Sequence, residues 1–151
     1  MMSIEWCVEK RMKLIEPNDN LAEEYFKNAE ETLRVTNMIK NSESNMWLAT
    51  QKYYAEYLAA YSLMMKIGIK SEIPSCTIEV IGLLEKEGII DFDFSRILEH
   101  DKELRIDNQY YLKNRPVRID SKKMAEILLK TRKILDTITN AQIKKIRSMI
   151  K

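Results

Sequence analysis

The chain has 151 residues with 25 lysines and arginines against 23 aspartates and glutamates, so its formal net charge is only +2. Its three glycines and three prolines provide too few turn residues for the many hairpins of an all-β fold. We therefore predict an all-α fold in a single domain, residues 1–151. No apolar run is long enough for a membrane span or a signal peptide, so we expect a cytoplasmic protein with no membrane partner.

The charge is unevenly distributed along the chain. Residues 1–112 carry 13 basic and 20 acidic side chains, whereas residues 113–151 carry 12 basic and 3 acidic ones. Such an asymmetry is typical of a nucleic-acid-binding face, of a positive end that meets the negative end of a partner, or of a basic helix packed beside acidic ones. Composition alone leaves these three explanations open.

The N-terminal third predicts two helices. Apolar residues at helical spacing indicate a short helix over residues 3–15, which Pro17 ends because the residue before proline avoids the helical region. A cap within residues 18–20 then begins a second helix that continues to about Lys40. The polar segment 41–44 is a short connection, so the next helix should return antiparallel to the second.

The longest apolar and aromatic run lies in residues 45–67, NMWLATQKYYAEYLAAYSLMMKI. It carries two apolar stripes at helical spacing, one of which includes Trp47 and Tyr54, so we predict a central helix that other elements surround. Gly68 provides the expected end of this helix. Its strongly polar residues are few: Gln51, Lys52, Glu56 and Lys66.

Two further helices are predicted after the central one. Residues 69–74 are too few to be more than a connection, and Ser75 is the expected cap of a helix that ends at Gly88. The β-branched run within that helix could pass for a strand, but a lone strand would have no partner in this chain. The next helix begins at Asp91 or Asp93 and is expected to reach Tyr111.

Residues 112–119 contain a proline and are expected to be irregular. The last helix begins at Asp120 or Ser121 and keeps an apolar seam for about eight turns, which predicts the longest helix of the chain. Its basic tail, residues 141–151, is expected to extend beyond the other helices and to offer a partner an apolar seam. Together these elements predict an up-and-down bundle of four to five long helices with a short N-terminal helix.

The two cysteines, Cys7 and Cys76, lie far apart in the sequence and have no companion metal ligands. We predict that both are buried, reduced thiols that act as small apolar side chains. The single histidine, His100, excludes a site with several histidines, and three dispersed glycines cannot form a phosphate-binding loop. We therefore expect neither a metal nor a cofactor.

The residues suited to chemistry lie in one segment, SRILEHDKELRIDNQYYLKNRPVR, which contains residues 95–118. Arg96 and His100 are four residues apart and share a helix face, as do Asp101 and Arg105. His100 is either a solvent-facing side chain paired with a nearby acid or a catalytic group. Arginine binds phosphate and tyrosine stacks on bases, which makes a set of nucleotide- or RNA-binding candidates: Arg105, Tyr110, Tyr111, Lys113, Arg115 and Arg118. For Arg105 and Tyr110, an ion pair beside a buried ring is the structural alternative.

Three stretches resemble one protein family: LAEEYFKNAEETLR, ATQKYYAEYLAAYSLMMKIGIKSEIPSCTIEVIGLL and ELRIDNQYYLKNR. Over residues 17–140 the chain is similar to the HEPN domain (higher eukaryotes and prokaryotes nucleotide-binding) in its small, stand-alone, mainly archaeal form. The resemblance implies a helical bundle that forms a homodimer and is often encoded beside a minimal nucleotidyltransferase in a toxin–antitoxin pair. It also implies that active members are metal-independent RNA endonucleases with an arginine followed, after four to six residues, by a histidine.

The chain departs from that family pattern at its most important position. Arg105 matches the arginine, but Tyr110 stands where the histidine is expected, and Pro74 stands where relatives often have another histidine. Tyrosine has a reference pKa of about 10 and is a poor general base at neutral pH. We therefore predict a catalytically degenerate nucleotide- or RNA-binding module. The alternatives are a ribonuclease that uses Arg105 with Tyr110 or His100, and a structural homodimeric interaction protein.

Overall fold

The computed structural model describes residues 3–151, and this part of the chain folds into seven helices and two short strands. The elements are α1 (Ile4–Lys10), β1 (Met12–Leu14), α2 (Asp19–Ile39), α3 (Asn45–Ile67), β2 (Ile69–Ser71), α4 (Pro74–Lys86), α5 (Phe94–Gln109), α6 (Ser121–Thr137) and α7 (Asn140–Ile150). The prediction of a mostly helical chain is confirmed, and the strands are its exception. The first two residues of the predicted domain 1–151 lie outside the described residues.

Helix α3 is the centre of the molecule. It packs along α2 and also contacts α4, α5, α6 and α7, and most of its side chains are buried because both of its apolar stripes meet another element. The Asn18 amide donates to the Met65 carbonyl, which places the start of α2 beside the end of α3, so the two helices are antiparallel as predicted. Gly68 ends α3 with φ +87, in the left-handed region that glycine adopts without strain.

The two strands correct the predictions for residues 3–15 and 69–74. Helix α1 ends at Lys10, and the following strand β1 pairs antiparallel with β2, with Met12 opposite Ser71 and Leu14 opposite Ile69. The tight turn at Gly68 directs the chain back along β1, where the backbone groups of each segment find partners. Because the two segments are far apart in sequence, their pairing leaves no local signal.

The ends of α4 and α5 differ slightly from the predictions. Pro74, rather than Ser75, begins α4, since proline lacks the N–H that has no partner in the first turn of a helix. Helix α4 ends at Lys86, and Asp93 precedes α5 without capping it through its side chain. Helix α5 ends at Gln109, two residues before the predicted Tyr111, and residues 112–119 have no regular structure, as predicted.

The predicted eight-turn final helix is wrong. It divides into α6 and α7 at Thr139, whose hydroxyl accepts from the Gln142 amide while the Gln142 side chain accepts from the Thr139 amide. This reciprocal cap begins a new helix, and α7 folds back so that Ile143, Ile146 and Ile150 are buried. The tail therefore does not extend beyond the other helices, and its apolar seam belongs to the core.

A disulfide bond between Cys7 and Cys76 contradicts the prediction of two reduced thiols. The β1–β2 pairing brings α1 beside the first turn of α4, where the two Cα atoms lie 5.5 Å apart, a normal separation for a disulfide. The bond thus closes a long loop that includes α2 and α3. Over residues 3–151, no helix is long and apolar enough to cross a membrane.

Candidate functional site

The predicted pair Arg105 and Tyr110 lies at the C-terminal end of α5, and the structure brings the two side chains together. Arg105 Nη2 donates to the Tyr110 hydroxyl at 3.2 Å, and Nε donates to Gln109 Oε1 at 3.0 Å. The guanidinium carbon lies 5.3 Å from the ring centroids of Tyr53 and Tyr54 and 5.6 Å from that of Tyr110. Arg105 is therefore held by aromatic faces rather than by an acid, and the ring of Tyr110 is exposed, not buried.

Tyr111, Lys113 and Arg115 lie on the loop that follows α5, and all three are exposed. Lys113 and Arg115 both pair with Asp107, at 3.4 and 2.7 Å, and the hydrogen bond from Arg115 is the main cause that lowers the pKa of Asp107. The buried side chain of Asn108 holds this loop, since it accepts from the Arg115 amide at 2.6 Å and donates to the Arg115 carbonyl at 3.0 Å.

A cleft of about 470 Å³ lies between α3, α5 and the start of α6. Its lining contains polar side chains from all three helices and from the preceding loop: Lys52, Glu56, Arg96, His100, Asp101, Arg118, Asp120 and Lys123, with Ile97, Met124 and Ile127. Arg118 and His100 thus meet here, whereas Arg105 does not line the cleft. His100 and Arg105 are five positions apart on α5, so their side chains leave the helix in directions that differ by about 140°. The structure divides the predicted site residues into two neighbouring groups.

His100 is fixed by a buried acid. Its Nδ1 lies 3.0 Å from Asp101 Oδ1, and Asp101 Oδ2 accepts from Lys52 Nζ at 2.8 Å. The Asp101 side chain is only 2% exposed, whereas that of His100 is 63% exposed. Because Nδ1 is engaged with Asp101, Nε2 is the ring nitrogen left to face solvent. This geometry, with Arg96 one turn earlier on the same face of α5, allows proton transfer beside a bound phosphate.

Glu56 is the most deeply buried acid of the cleft. It is 1% exposed, its Oε1 has no hydrogen-bond partner in the part of the chain described, and its Oε2 lies 4.0 Å from Lys52 Nζ, beyond hydrogen-bond range. Burial, and then the neighbouring Asp101, raise the pKa of Glu56 well above its ordinary value of 4.5. Burial opposes ionisation of Asp101 too, but hydrogen bonds from Glu56, Lys52 and His100 and the Lys52 charge leave the pKa of Asp101 lowered. Of the two carboxyl groups, Glu56 is therefore the one that keeps its proton to higher pH.

Several residues of these two groups were missed in the sequence. Lys52 and Glu56 are a basic and an acidic residue four positions apart in the most apolar helix of the chain. Two charged side chains in such an apolar helix are the sequence feature that indicates a site. The sequence pattern places Trp47 and Tyr54 in an apolar stripe that other elements should cover, but their side chains are 51% and 40% exposed. They are seven residues apart and so share a face of α3, the face from which Tyr54 contacts Arg105.

Within residues 3–151 there is no group of three or more His, Cys, Asp or Glu side chains that could hold a metal ion. Comparison of the chain with models of protein families, with characterised proteins and with solved structures gives no match.

Proposed function

We propose that this protein is a HEPN-like module that binds RNA or a nucleotide, with a phosphate group held in the cleft between α3, α5 and α6. One observation carries the proposal: the cleft contains four cationic side chains and His100, against three acidic ones, of which Glu56 is buried and resists ionisation. The cations are Lys52, Arg96, Arg118 and Lys123. Lys52 is engaged with Asp101, but Arg96, Arg118 and Lys123 are exposed at the mouth, where a phosphate can reach them.

The Arg105 group supports the same proposal from the adjacent surface. Trp47, Tyr54, Tyr110 and Tyr111 present exposed rings there, and exposed aromatic rings beside cations are the usual means of binding unpaired bases. In the proposal, phosphates bind the cleft and the loop cations Lys113 and Arg115, while bases stack on these rings.

The test is the affinity of purified protein for a fluorescein-labelled single-stranded RNA, measured by anisotropy over a series of salt concentrations. We expect Arg118→Ala to weaken binding about tenfold and to reduce the slope of log affinity against log salt by about 0.7, the contribution of one phosphate contact. Arg11→Ala is the matched control, since Arg11 is an exposed arginine that directly follows α1, lies beside the Trp6 ring and does not line the cleft. Equal affinities and slopes for the two variants would contradict the proposal.

A specific observation favours ribonuclease activity as the second candidate function. His100 is oriented by Asp101, and Arg96 and Arg118 line the same cleft, so a proton-transfer group stands next to phosphate-binding groups. In this candidate His100, rather than Tyr110, exchanges the proton. RNA cleavage that is lost in His100→Ala but kept in Tyr110→Phe would establish it, whereas cleavage lost only in Arg105→Ala and Tyr110→Phe would assign the chemistry to the other group.

We also propose that the protein is a homodimer that pairs through the groove between α2 and α6. The groove is lined by Phe26, Leu33, Leu128 and Leu129, and Leu129 is largely exposed. Helix α2 carries five acids and two bases, whereas α6 carries five bases and two acids. A two-fold axis would place each α2 against the α6 of the other copy, with opposite charges facing. We expect the wild type to sediment as a dimer and Leu129→Glu to sediment as a monomer. A wild type that sediments as a monomer would contradict the proposed dimer. A dimer that binds no RNA would favour the purely structural role.

The proposal also includes a cytoplasmic location, because the proposed ligand is RNA. It further includes a minimal nucleotidyltransferase as the partner, because the sequence resemblance implies that partner. The Cys7–Cys76 disulfide is unusual in a reducing compartment. Alkylation of free thiols in intact cells, read by mass spectrometry, tests whether the bond is present there. Co-purification with a co-expressed nucleotidyltransferase tests the partner.

A further inference from the structure

The buried carboxyl group of Glu56 is only partly paired. The proton that it shares with Asp101 occupies one oxygen, whereas Oε1 has no hydrogen-bond partner among the described residues, and Lys52 Nζ, which lies 4.0 Å from Oε2, is bonded to Asp101 instead. Burying a polar atom without a hydrogen bond lowers stability, so such atoms are rare in folded proteins outside functional sites. Glu56 also belongs to the lining of the cleft.

The cleft has two chemically different levels. The exposed cations Arg96, Arg118 and Lys123 form its mouth, whereas the buried side chains of Met124 and Ile127 lie at its floor together with Glu56. A mouth of cations is suited to phosphate, and an apolar floor is suited to the faces of a planar ring. The volume, about 470 Å³, falls within the range of pockets that hold a ligand the size of one nucleotide.

We propose that Glu56 is the residue that recognises the base of a nucleotide, by accepting a hydrogen bond from an N–H group at the edge of a base that lies on the apolar floor. This inference rests on the proposed function, because it requires the phosphate to be held at the mouth. It adds a defined ligand class, a nucleoside monophosphate unit with its base turned inwards, and it assigns a role to a residue that phosphate binding does not use.

Chemistry restricts what Glu56 can recognise. Its single carboxyl proton is directed to the ionised Asp101, so the remaining oxygen can only accept. The complementary group must be a donor, which the edge of every common base provides, whereas ribose 5-phosphate has a phosphate and a sugar but no base. Ribose 5-phosphate therefore isolates binding at the mouth from recognition at the floor.

The experiment measures binding of GMP, AMP, CMP, UMP and ribose 5-phosphate to three proteins by calorimetry at low salt: the wild type, Glu56→Gln and Glu56→Leu. Glutamine keeps a neutral carbonyl oxygen and a donor that can face Asp101, whereas leucine has a similar size and no acceptor. We expect the wild type to bind at least one nucleotide more tightly than ribose 5-phosphate. Glu56→Gln should keep that affinity within about threefold, whereas Glu56→Leu should lose about tenfold or more. Ribose 5-phosphate should bind all three proteins equally, which also shows that each variant is folded.

The outcomes separate this inference from the proposed function. If ribose 5-phosphate binds but no nucleotide binds more tightly, or if Glu56→Leu binds nucleotides as the wild type does, the role of Glu56 is refuted and phosphate binding at the mouth stands. A loss in Glu56→Gln equal to that in Glu56→Leu, or a parallel loss for ribose 5-phosphate, would also refute it. If the wild type binds neither class of ligand, the proposed function and this inference both fail.

Discussion

The two ends of helix α3 have opposite characters. At its C-terminal end the polar groups are matched: Arg147 Nη1 donates to the carbonyls of Ile15 and Gly68 at 2.7 Å and of Ile67 at 3.2 Å. The nearby strands pair with each other, and the disulfide joins α1 to α4. Between its N-terminus and its middle, α3 presents exposed aromatic rings and then a buried acid with an unmatched oxygen, next to cations of the cleft mouth.

This contrast separates stability from function within one helix. Groups that are fully paired contribute to the fold and have no capacity left for a ligand. Unmatched groups lower stability, and under the proposed function a bound ligand supplies the partners that they lack. Substitutions at the C-terminal end of α3 should therefore change stability and leave binding intact, and substitutions near its N-terminal half should do the reverse.

The largest effect on stability is expected from the disulfide. Replacing both Cys7 and Cys76 with alanine should lower the free energy of unfolding by about 4 kcal/mol, because the bond closes a loop with a sequence separation of 69. Urea unfolding followed by circular dichroism measures the change. RNA affinity of the folded variant should equal that of the wild type. Reductant should destabilise the wild type and leave the variant unaffected, and a wild type insensitive to reductant would contradict the prediction.

The next largest effect is expected at Arg147. Arg147→Met keeps the apolar part of the side chain but removes the donors for three carbonyls, so it should lower the free energy of unfolding by about 2–4 kcal/mol. Arg11→Met, which removes an exposed cation–π contact with Trp6, should cost less than about 1 kcal/mol. Comparable urea midpoints for the two variants would show that Arg147 does not hold the junction of α3, β1 and α7.

A smaller effect, dependent on pH, is expected at Glu56. Its pKa in the folded protein is raised, so above pH 4.5 the folded state binds more protons than the unfolded state, and stability falls as pH rises from 4.5 through the folded-state pKa. Glu56→Gln cannot ionise, so its stability relative to the wild type should rise as the pH is raised above 4.5. The lowered pKa of Asp101 acts below pH 3.8 and does not enter this window. Parallel stability curves for the two proteins would contradict the prediction.

The smallest effect on stability is expected at Trp47, although its effect on binding is large. Trp47→Ala removes a half-exposed ring and should change the free energy of unfolding by less than about 1 kcal/mol, while it lowers affinity for single-stranded RNA about tenfold through loss of one stacked base. In the Trp6→Phe background Trp47 is the single tryptophan, so RNA should quench its fluorescence. If RNA instead quenches the fluorescence of Trp6 in Trp47→Phe and leaves that of Trp47 in Trp6→Phe unchanged, the RNA binds elsewhere.

The sequence predicted the helices where local pattern decides them. The 23-residue apolar run and Gly68 defined α3 at both ends, because periodicity and a left-handed stop are local features. It failed where distant segments meet: the β1–β2 pairing, the Cys7–Cys76 bond and the return of α7 through Arg147 all join residues more than 50 positions apart. The site divides in the same way. Arg105 and Tyr110 are close in sequence and their side chains meet, whereas the meeting of Glu56 with Asp101 depends on how α3 packs against α5.

The central claim is that phosphate binds at the mouth of the cleft, and the most direct measurement is chemical-shift mapping of the ¹⁵N-labelled wild-type protein during titration with a short single-stranded RNA. We predict that the largest shifts occur at the amides of residues 96–101 and 118–123 and at the indole N–H of Trp47, while amides of α7 and the two strands stay in place. Shifts concentrated on α2 and α7, with those of residues 96–101 and 118–123 unchanged, would contradict the account.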